Sequence, residues 1–338
     1  MRSQDPILII AEAGVNHNGS LDTALRLVDA AADAGADVVK FQTFRASDLA
    51  AASARKATYQ SHNAPSADDS QLAMLRKLEL DEAAHSVLIE RCRERGIRFL
   101  STPFDFGSIE LLHRLGQTLW KIPSGEITNL PYLRRIGAFG AEVILSTGMS
   151  TMDEVLAAVE ALVAAGTPRR QITLLHCTTQ YPAPLDSVNL LAMNELATLG
   201  CRGVGYSDHT RGITVPVAAA ALGATVIEKH FTLSRDMEGP DHKASLEPDE
   251  LRTMVTAIRD VETALGDGHK CVTDAERPNI AVARKSIVAA RHIDAGETFT
   301  EENLTVKRPG TGMSPMLWDK VIGRQSPRAY EPDECICI

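Results

Sequence analysis

Gly203-Val-Gly-Tyr-Ser-Asp-His209 is a short apolar segment that ends in polar residues, and Thr225-Val-Ile-Glu-Lys-His230 repeats that pattern further along the chain. Alternate side chains of an extended strand share a face, so Ser207 is expected beside His209, and Glu228 beside His230. Two histidines at the ends of neighbouring strands can hold one divalent cation. Either histidine alone is more typical of a hydrogen-bonded structural residue, but the pair predicts a metal site.

The same alternation of a short apolar run and an amphipathic helix extends through most of the chain. Eight runs are predicted as strands, and the helices between them often end at glycine. Eight strands alternating with helices are the pattern of a (β/α)₈ TIM barrel in the α/β class. A doubly wound sheet is the alternative, but no G-x-G-x-x-G turn supports it. Besides the two segments above, the predicted strands are Ile7–Ala11, Asp37–Gln42, Ile97–Thr102, Thr118–Ile122, Glu142–Ser146 and Gln171–His176.

The pattern changes near the C-terminus. Residues 1–268 are predicted as the barrel, 269–284 as a linker, and 285–338 as a small β-rich domain. Its short alternating segments are Ser286–Ala290, Glu297–Thr300 and Leu304–Lys307. A core this small gives a domain only marginal stability. We therefore expect this domain to pack against another surface.

Composition narrows the functional classes. The chain has 338 residues and a net charge of −9, which argues against nucleic acid as a partner. Its six cysteines form no CxxC pair and are expected to be reduced thiols. No signal peptide or membrane-spanning run is apparent, so a cytoplasmic location without membrane association is expected.

A polar stretch from Ala46 to about Gln71 is too long for an ordinary connection between a strand and a helix. We interpret it as a functional loop.

Polar side chains stand at every predicted strand end, where TIM barrels place their active sites. Buried barrel strands need only apolar residues, and a polar group there costs desolvation free energy unless it is paired. His176 and Glu228 are expected to be structural hydrogen-bond anchors. The full set is Glu12, Lys40, Gln42, Thr102, Lys121, Ser146, His176, Thr178, Thr179, Ser207, Asp208, His209, Glu228 and His230.

This set suits an oxyanion. Lys40 and Lys121 are cationic, and several neighbours carry hydroxyls. Ser146-Thr-Gly148 precedes a capped helix, where free backbone N–H groups are expected to attract phosphate. Gly125 and Gly148 permit close backbone approach. Together with the two histidines and a free carboxylate, the pattern indicates phosphorylated-substrate chemistry assisted by a Lewis acid.

Ten motifs occur in order along the chain: Ala11-Glu-Ala-Gly-Val-Asn-His-Asn-Gly19, Lys40-Phe-Gln-Thr43, Ser101-Thr-Pro-Phe104, Lys121-Ile-Pro-Ser-Gly-Glu126, Leu145-Ser-Thr-Gly-Met149, Leu175-His-Cys-Thr-Thr-Gln-Tyr-Pro182, Tyr206-Ser-Asp-His209, Glu228-Lys-His-Phe231, Gly239-Pro-Asp241 and Lys307-Arg-Pro-Gly310. Together they resemble the sialic acid synthase family, the bacterial nonulosonate synthases. The resemblance covers nearly the whole chain and implies an antifreeze-like (SAF, β-clip) C-terminal domain.

The resemblance implies condensation of phosphoenolpyruvate with an N-acetylated mannose-type sugar by a domain-swapped homodimer. It assigns His209 and His230 to a divalent metal, Mn²⁺ or else Mg²⁺ or Co²⁺. Glu12 and Asp241 are implied as catalytic, with Glu12 orienting or activating water. The implied phosphoenolpyruvate contacts are Lys40, Thr102, Lys121, Ser124, Ser146, Ser207 and Thr179, which stands where the family often has Asn. The implied sugar contacts are Gln42, Phe104, Glu126, Tyr181 and Arg308, the last reaching across the dimer.

N-acetylmannosamine, giving N-acetylneuraminate, is the first expectation for the sugar. The alternative is 2,4-diacetamido-2,4,6-trideoxymannose, giving N,N'-diacetyllegionaminate. Three other functional classes remain as rivals: a Schiff-base aldolase using Lys121 or Lys229, a metal-dependent hydrolase, and a carbohydrate-binding protein without catalysis.

Overall fold

The computed structural model describes residues 5–56 and 70–338. The chain divides into one unit that ends at Gly266 and a second that spans Asp267–Ile338. Within the described residues, no helix has both the length and the apolar character that crossing a membrane requires.

The first unit contains eight parallel strands in one sheet. Their order is β3-β2-β1-β8-β7-β6-β5-β4, so the first and last strands of the series pair with each other, as in a barrel. The (β/α)₈ prediction is therefore confirmed. The strands are β1 Leu8–Gly14, β2 Val38–Thr43, β3 Arg98–Pro103, β4 Leu119–Ile122, β5 Glu142–Ser146, β6 Ile172–Cys177, β7 Gly203–Asp208 and β8 Val226–His230.

The helices of this unit begin where the sequence supplies side-chain caps. Ser20 and Asp81 accept hydrogen bonds from backbone N–H groups of the first turn, and Thr151 forms a reciprocal capping box with Glu154. The helices are α1 Leu21–Asp33, α2 Ala46–Leu49, α3 Gln71–Arg76, α4 Glu82–Arg95, α5 Phe106–Arg114, α6 Leu130–Gly137, α7 Met152–Ala165, α8 Ala192–Ala197, α9 Thr214–Ala221 and α10 Pro248–Ala264.

A layer of inward-facing apolar side chains closes the barrel below the strand ends. Seven strands each contribute one buried residue: Ile10, Val38, Leu100, Leu119, Ile144, Leu175 and Val226. The corresponding residue of β7 is Gly205. A Cβ there would lie 2.3 Å from the Val226 carbonyl oxygen and 2.7 Å from Leu175 Cδ2. Leu175 and Val226 therefore already fill the eighth position of this floor.

The barrel wall has a seam between β3 and β4, which no backbone ladder joins among the described strands. The side-chain amide of Gln117 bridges the seam. Its Oε1 accepts from the Ser101 N–H at 2.9 Å, and its Nε2 donates to the Ser101 carbonyl at 3.0 Å. One side chain thus replaces a pair of backbone hydrogen bonds.

The predicted functional loop of residues 46–71 contains the short helix α2 and ends at the first residue of α3. Residues 57–69 of that prediction lie outside the described residues. Around the two helices lies a separate apolar cluster: Val15, Phe44, Ala46, Ala50, Met74, Leu75 and Leu78.

The second unit packs a small core around an antiparallel pair, β9 (Ser286–Ala289) and β10 (Leu304–Lys307). It also contains α11 (Asn279–Ala283), within the stretch predicted as a linker, and α12 (Trp318–Val321). The alternating segment Glu297–Thr300 forms only an isolated bridge, from Thr298 to Gln325, and not a strand. The Asn303 side chain bonds the Thr300 N–H and the Thr298 carbonyl, which leaves those groups unavailable to a ladder.

Candidate active site

Two residues beyond the apolar floor, every barrel strand presents a second inward-facing side chain. Side chains alternate along a strand, so this spacing returns to the same face. The resulting ring is almost entirely polar and fully buried: Glu12, Lys40, Thr102, Lys121, Ser146, Cys177, Ser207 and Glu228. The ring brings together five of the seven residues implied as phosphoenolpyruvate contacts, the implied catalytic residue Glu12, and also Glu228 and Cys177.

Sequence reasoning missed one member of this ring, Cys177. It proposed His176 and the two following threonines for β6. His176 faces away and bonds the Val188 carbonyl at 2.7 Å, as expected of a structural anchor. Counting two residues on from Leu175 would have identified Cys177. Its Sγ lies 3.3 Å from Ser124 Oγ, and burial raises the pKa of the thiol.

Glu228 stands at the centre of the ring's charges. Its carboxylate lies 3.3 Å from Lys40 Nζ, 3.7 Å from Lys121 Nζ and 2.9 Å from Ser207 Oγ. Burial opposes its ionisation, but Lys121 and Lys40 outweigh burial and lower the pKa of Glu228 to about 2. Glu228 is therefore a fixed anion that holds both lysines in place.

Glu12 behaves differently. Its Oε2 lies 3.0 Å from Lys40 Nζ, and its Oε1 accepts from Gln42 Nε2 at 3.2 Å. Burial nevertheless outweighs Lys40 and raises the pKa of Glu12 to about 7, with the charge of Glu228 adding to the effect. A carboxyl group poised near neutrality can accept or return a proton under physiological conditions.

Lys121 forms the second cationic corner, with its Nζ 2.7 Å from Ser146 Oγ. Burial lowers the pKa of Lys121, while Glu228 opposes this shift. Beside it, the Gly148 N–H donates to Ser124 Oγ at 3.0 Å, and Thr147 N–H donates to the Leu175 carbonyl. The prediction that these N–H groups are free was wrong, because neighbouring strands and loops already satisfy them.

His209 and His230 lie side by side above the ring, with ring centroids 5.4 Å apart, and Tyr181 packs against both. His209 Nδ1 bonds the Thr178 carbonyl at 2.7 Å, which leaves the lone pair on Nε2. His230 Nδ1 is buried and has no hydrogen-bond partner among the described residues. Burial lowers both imidazole pKa values. Two neutral imidazoles with spare lone pairs fit a divalent cation.

No group of three or more His, Cys, Asp or Glu suited to a metal occurs in the described part of the chain. A cation held by the two histidines would complete its shell with water or substrate oxygen, the open coordination typical of catalytic metal sites.

Asp208 was predicted as one of the polar residues at the strand ends, and Lys229 as a candidate for Schiff-base chemistry. Both side chains face away from the cavity. Their side chains are fully buried and paired, with Lys229 Nζ 2.5 Å from Asp208 Oδ2. Because Lys229 is held on the outer face of the barrel, only Lys121 remains of the two lysines proposed for an aldolase.

A cavity of about 370 Å³ rises from the ring. The remaining implied contacts within the barrel also line it: Gln42, Phe104, Ser124, Glu126, Thr179, Tyr181 and Asp241. Asp241 is buried without a described donor to its carboxylate, and burial raises its pKa to about 6. Arg308 belongs to the second unit, where it is exposed and its Nε donates to the Ala283 carbonyl at 3.0 Å.

One side of the cavity is apolar, which sequence reasoning did not identify. We call this surface the apolar wall: Phe44, Met74, Leu75, Leu78 and Phe104. Phe44 and Phe104 meet edge to face at 6.3 Å. The wall belongs to the cluster around α2 and α3, so the cavity combines a charged floor with an apolar side.

Two family models and several known proteins are similar to this chain. The model of the NeuB family matches residues 27–270, and that of the SAF domain matches residues 284–336. The chain is 53% identical to the N,N'-diacetyllegionaminic acid synthase of Campylobacter jejuni over 97% of this chain and 98% of that protein. It is 47% identical to the N,N'-diacetyllegionaminic acid synthase of Legionella pneumophila over 93% of this chain and 89% of that one. The solved structure of the N-acetylneuraminic acid synthetase of Leptospira borgpetersenii resembles it with a TM-score of 0.71 and 34% identity, covering 82% of this chain and 90% of that one.

Proposed function

This chain belongs to the NeuB family, and from that premise we propose that it condenses phosphoenolpyruvate with an N-acetylated mannose-type sugar. The products are a nine-carbon 2-keto acid and inorganic phosphate. The observation that carries the proposal is the buried ring at the strand ends, where two lysines and several hydroxyls converge below a pair of histidines. Such a ring suits a small substrate that carries both a phosphate and a carboxylate.

The ring's residues divide the work of binding phosphoenolpyruvate. Lys121, Ser146 and Ser124 form one corner, and Lys40 with Thr102 forms another, with Nζ 3.1 Å from Thr102 Oγ1. These groups bind the phosphate and the carboxylate of phosphoenolpyruvate and stabilise their negative charge during the reaction. Glu228 keeps both ammonium groups oriented before the substrate arrives.

In the reaction, C3 of phosphoenolpyruvate forms a bond to the aldehyde carbon of the open-chain sugar, the aldehyde oxygen takes a proton from solvent, and C2 becomes cationic. Water then adds to C2 and releases one proton. The hydroxyl formed at C2 passes its remaining proton to the phosphate as the C2=O bond forms and the C2–O bond to phosphate breaks. Glu12 accepts the proton of that water, because its pKa lies near neutrality and Gln42 holds its carboxylate.

A divalent cation such as Mn²⁺, held by His209 and His230, would withdraw charge from the aldehyde oxygen. Either His209→Ala or His230→Ala should remove most activity and leave the circular dichroism spectrum unchanged. Chelator-treated protein should recover with Mn²⁺ or Mg²⁺. Full activity in excess chelator would refute the metal assignment.

For the sugar we propose 2,4-diacetamido-2,4,6-trideoxymannose, which gives N,N'-diacetyllegionaminate. The two synthases named above support this choice over N-acetylmannosamine, which was the first expectation from sequence. The apolar wall supports it physically. The 6-methyl group and the extra acetamido methyl gain from apolar contact, whereas a 6-hydroxyl would be desolvated there.

The decisive measurement is kcat/KM for both sugars with phosphoenolpyruvate and Mn²⁺. We expect at least tenfold preference for the diacetamido sugar, about 1.4 kcal/mol of transition-state binding. Equal values, or a preference for N-acetylmannosamine, would overturn the sugar assignment and leave the reaction type standing.

The wall itself is tested by Met74→Gln. Met74 is buried on α3 and lines the cavity, so a polar amide there should cost the diacetamido sugar about tenfold in kcat/KM and N-acetylmannosamine less. Leu72→Gln on the same helix is the control, because Leu72 packs against the cluster without lining the cavity. An equal loss for both sugars would argue against a role in sugar choice.

A further inference from the structure

A buried ion pair between Asp208 and Lys229 lies on the outer face of β7 and β8, opposite the face that carries the two histidines. In the paired strands β7 and β8, Asp208 is opposite Lys229 in register, one residue after the inward pair Ser207 and Glu228. The next inward residues are His209 and His230. We propose that Asp208 and Lys229 are positioning residues, which fix the separation of the two histidines and so set the affinity of the site for its divalent cation.

The contacts of Asp208 hold the backbone on both sides of His209. Oδ1 accepts from the Thr210 N–H at 3.0 Å, and Oδ2 accepts from Thr210 Oγ1 at 3.1 Å and from Lys229 Nζ at 2.5 Å. Lys229 Nζ also donates to the Thr210 carbonyl. The residues before and after His209 are therefore tied to each other and to the residue before His230.

Because Asp208 and Lys229 form an ion pair, their contact specifies the register of β7 and β8. An apolar contact at this position is non-directional and tolerates sliding of one strand along the other. A salt bridge with three further hydrogen bonds holds only in one register, and a slip of either strand by one residue would turn the histidine of that strand to the outer face. Buried ion pairs often add little net stability relative to apolar residues of similar volume. Metal affinity is therefore measured separately from thermal stability.

The inference rests on the proposed metal site, so its test measures metal binding directly. Mn²⁺ alone is titrated into metal-free protein, and free Mn²⁺ is followed by electron paramagnetic resonance. The variant is the double substitution Asp208→Leu with Lys229→Met, which replaces both charges at once and leaves no unpaired ion. The control is Arg259→Met, because Arg259 pairs with Asp37 at the opposite end of the strands.

We expect the folded double variant to bind Mn²⁺ at least tenfold more weakly, the scale seen when groups supporting metal ligands are lost. Its melting temperature should also fall, because the N–H, hydroxyl and carbonyl of Thr210 lose their partners. Arg259→Met should bind Mn²⁺ within twofold of the parent. Mn²⁺ affinity in the folded double variant within twofold of the parent would overturn the inference while leaving the metal site in place. A parent protein that does not bind Mn²⁺, or binds it equally after His209→Ala, would overturn the metal proposal and the inference together.

Should the double variant fail to fold, Thr210→Val decides the matter. It removes the hydroxyl bond to Asp208 Oδ2 without changing charge or size. A weakening of Mn²⁺ binding by threefold or more supports the positioning role, and unchanged binding refutes it.

Discussion

The ionisation of Glu12 gives the site a distinct pH dependence. Burial raises its pKa to about 7, so the carboxylate that accepts a proton from water is lost as pH falls through that value. We expect kcat/KM to decrease below pH 7. Gln42→Leu removes a donor that favours the ionised form, so the midpoint of the profile should move to higher pH. Gln71→Leu, another cavity residue, is the control. The same midpoint in parent and Gln42→Leu would rule out this role for Gln42.

The buried carboxylate of Asp241, when ionised, lowers the stability of the folded protein. Its pKa is raised from 3.8 to about 6 by burial, so folding favours the protonated form, and stability is lost as pH rises from about 4 to 6. At pH 7.5, Asp241→Asn should therefore stabilise the protein by about 2 to 3 kcal/mol while lowering activity. Thermal unfolding at pH 7.5 and 5 measures this, with a smaller gain at pH 5. Asp236→Asn, exposed in the same loop, should change neither, and a destabilised Asp241→Asn would contradict the argument.

Among the strands, the closest approach that we describe is at Gly205, where β7 crosses the floor. A methyl group would meet the Val226 backbone oxygen and Leu175, and backbone cannot yield as a flexible side chain does. Gly205→Ala should cost about 1 to 3 kcal/mol in the free energy of unfolding, measured by urea denaturation. Gly125→Ala is the matched control, because nothing lies within 4 Å of its added Cβ. Equal stability of the two variants would show that β7 and β8 can separate without cost.

Strand and helix order could be predicted from the sequence because buried parallel strands are apolar runs and the helices carry their own caps. The ring of site residues followed from the same logic of alternation. What could not be predicted depended on which side chain meets which partner in the folded chain. Asn303 withdrew Thr298 and Thr300 from a ladder, Ser124 satisfied the Gly148 N–H, and α3 brought Met74 to the cavity. The alternation of side chains along a strand predicts that Asp208, between Ser207 and His209, faces outward. Its pairing with Lys229 depends on how β7 and β8 are aligned, which only the structure shows.

At the level of the whole molecule, the second unit has a core of eight buried apolar residues, too few to be robust alone. We expect a homodimer in which Arg308 of one protomer serves the site of the other. Arg308→Ala and Glu12→Ala should each be inactive. Mixing them after subunit exchange should restore about a quarter of the activity, since half of the dimers are mixed and each has one complete site.

Subunit exchange is verified by mass spectrometry of differently tagged chains. No recovery in a mixture that contains mixed dimers would mean that Arg308 acts in its own chain or not at all.

The Gln117 bridge across the seam makes the barrel an interrupted ring rather than a continuous one. Rotation of one side chain frees the Ser101 N–H without separating any pair of strands. Thr102, which holds Lys40, is the next residue. Deuterium should therefore enter the Ser101 amide sooner than the amides inside the β1–β8 ladder. Local opening of the barrel should then occur first at the β3–β4 seam, beside the strand that carries Thr102, the partner of Lys40.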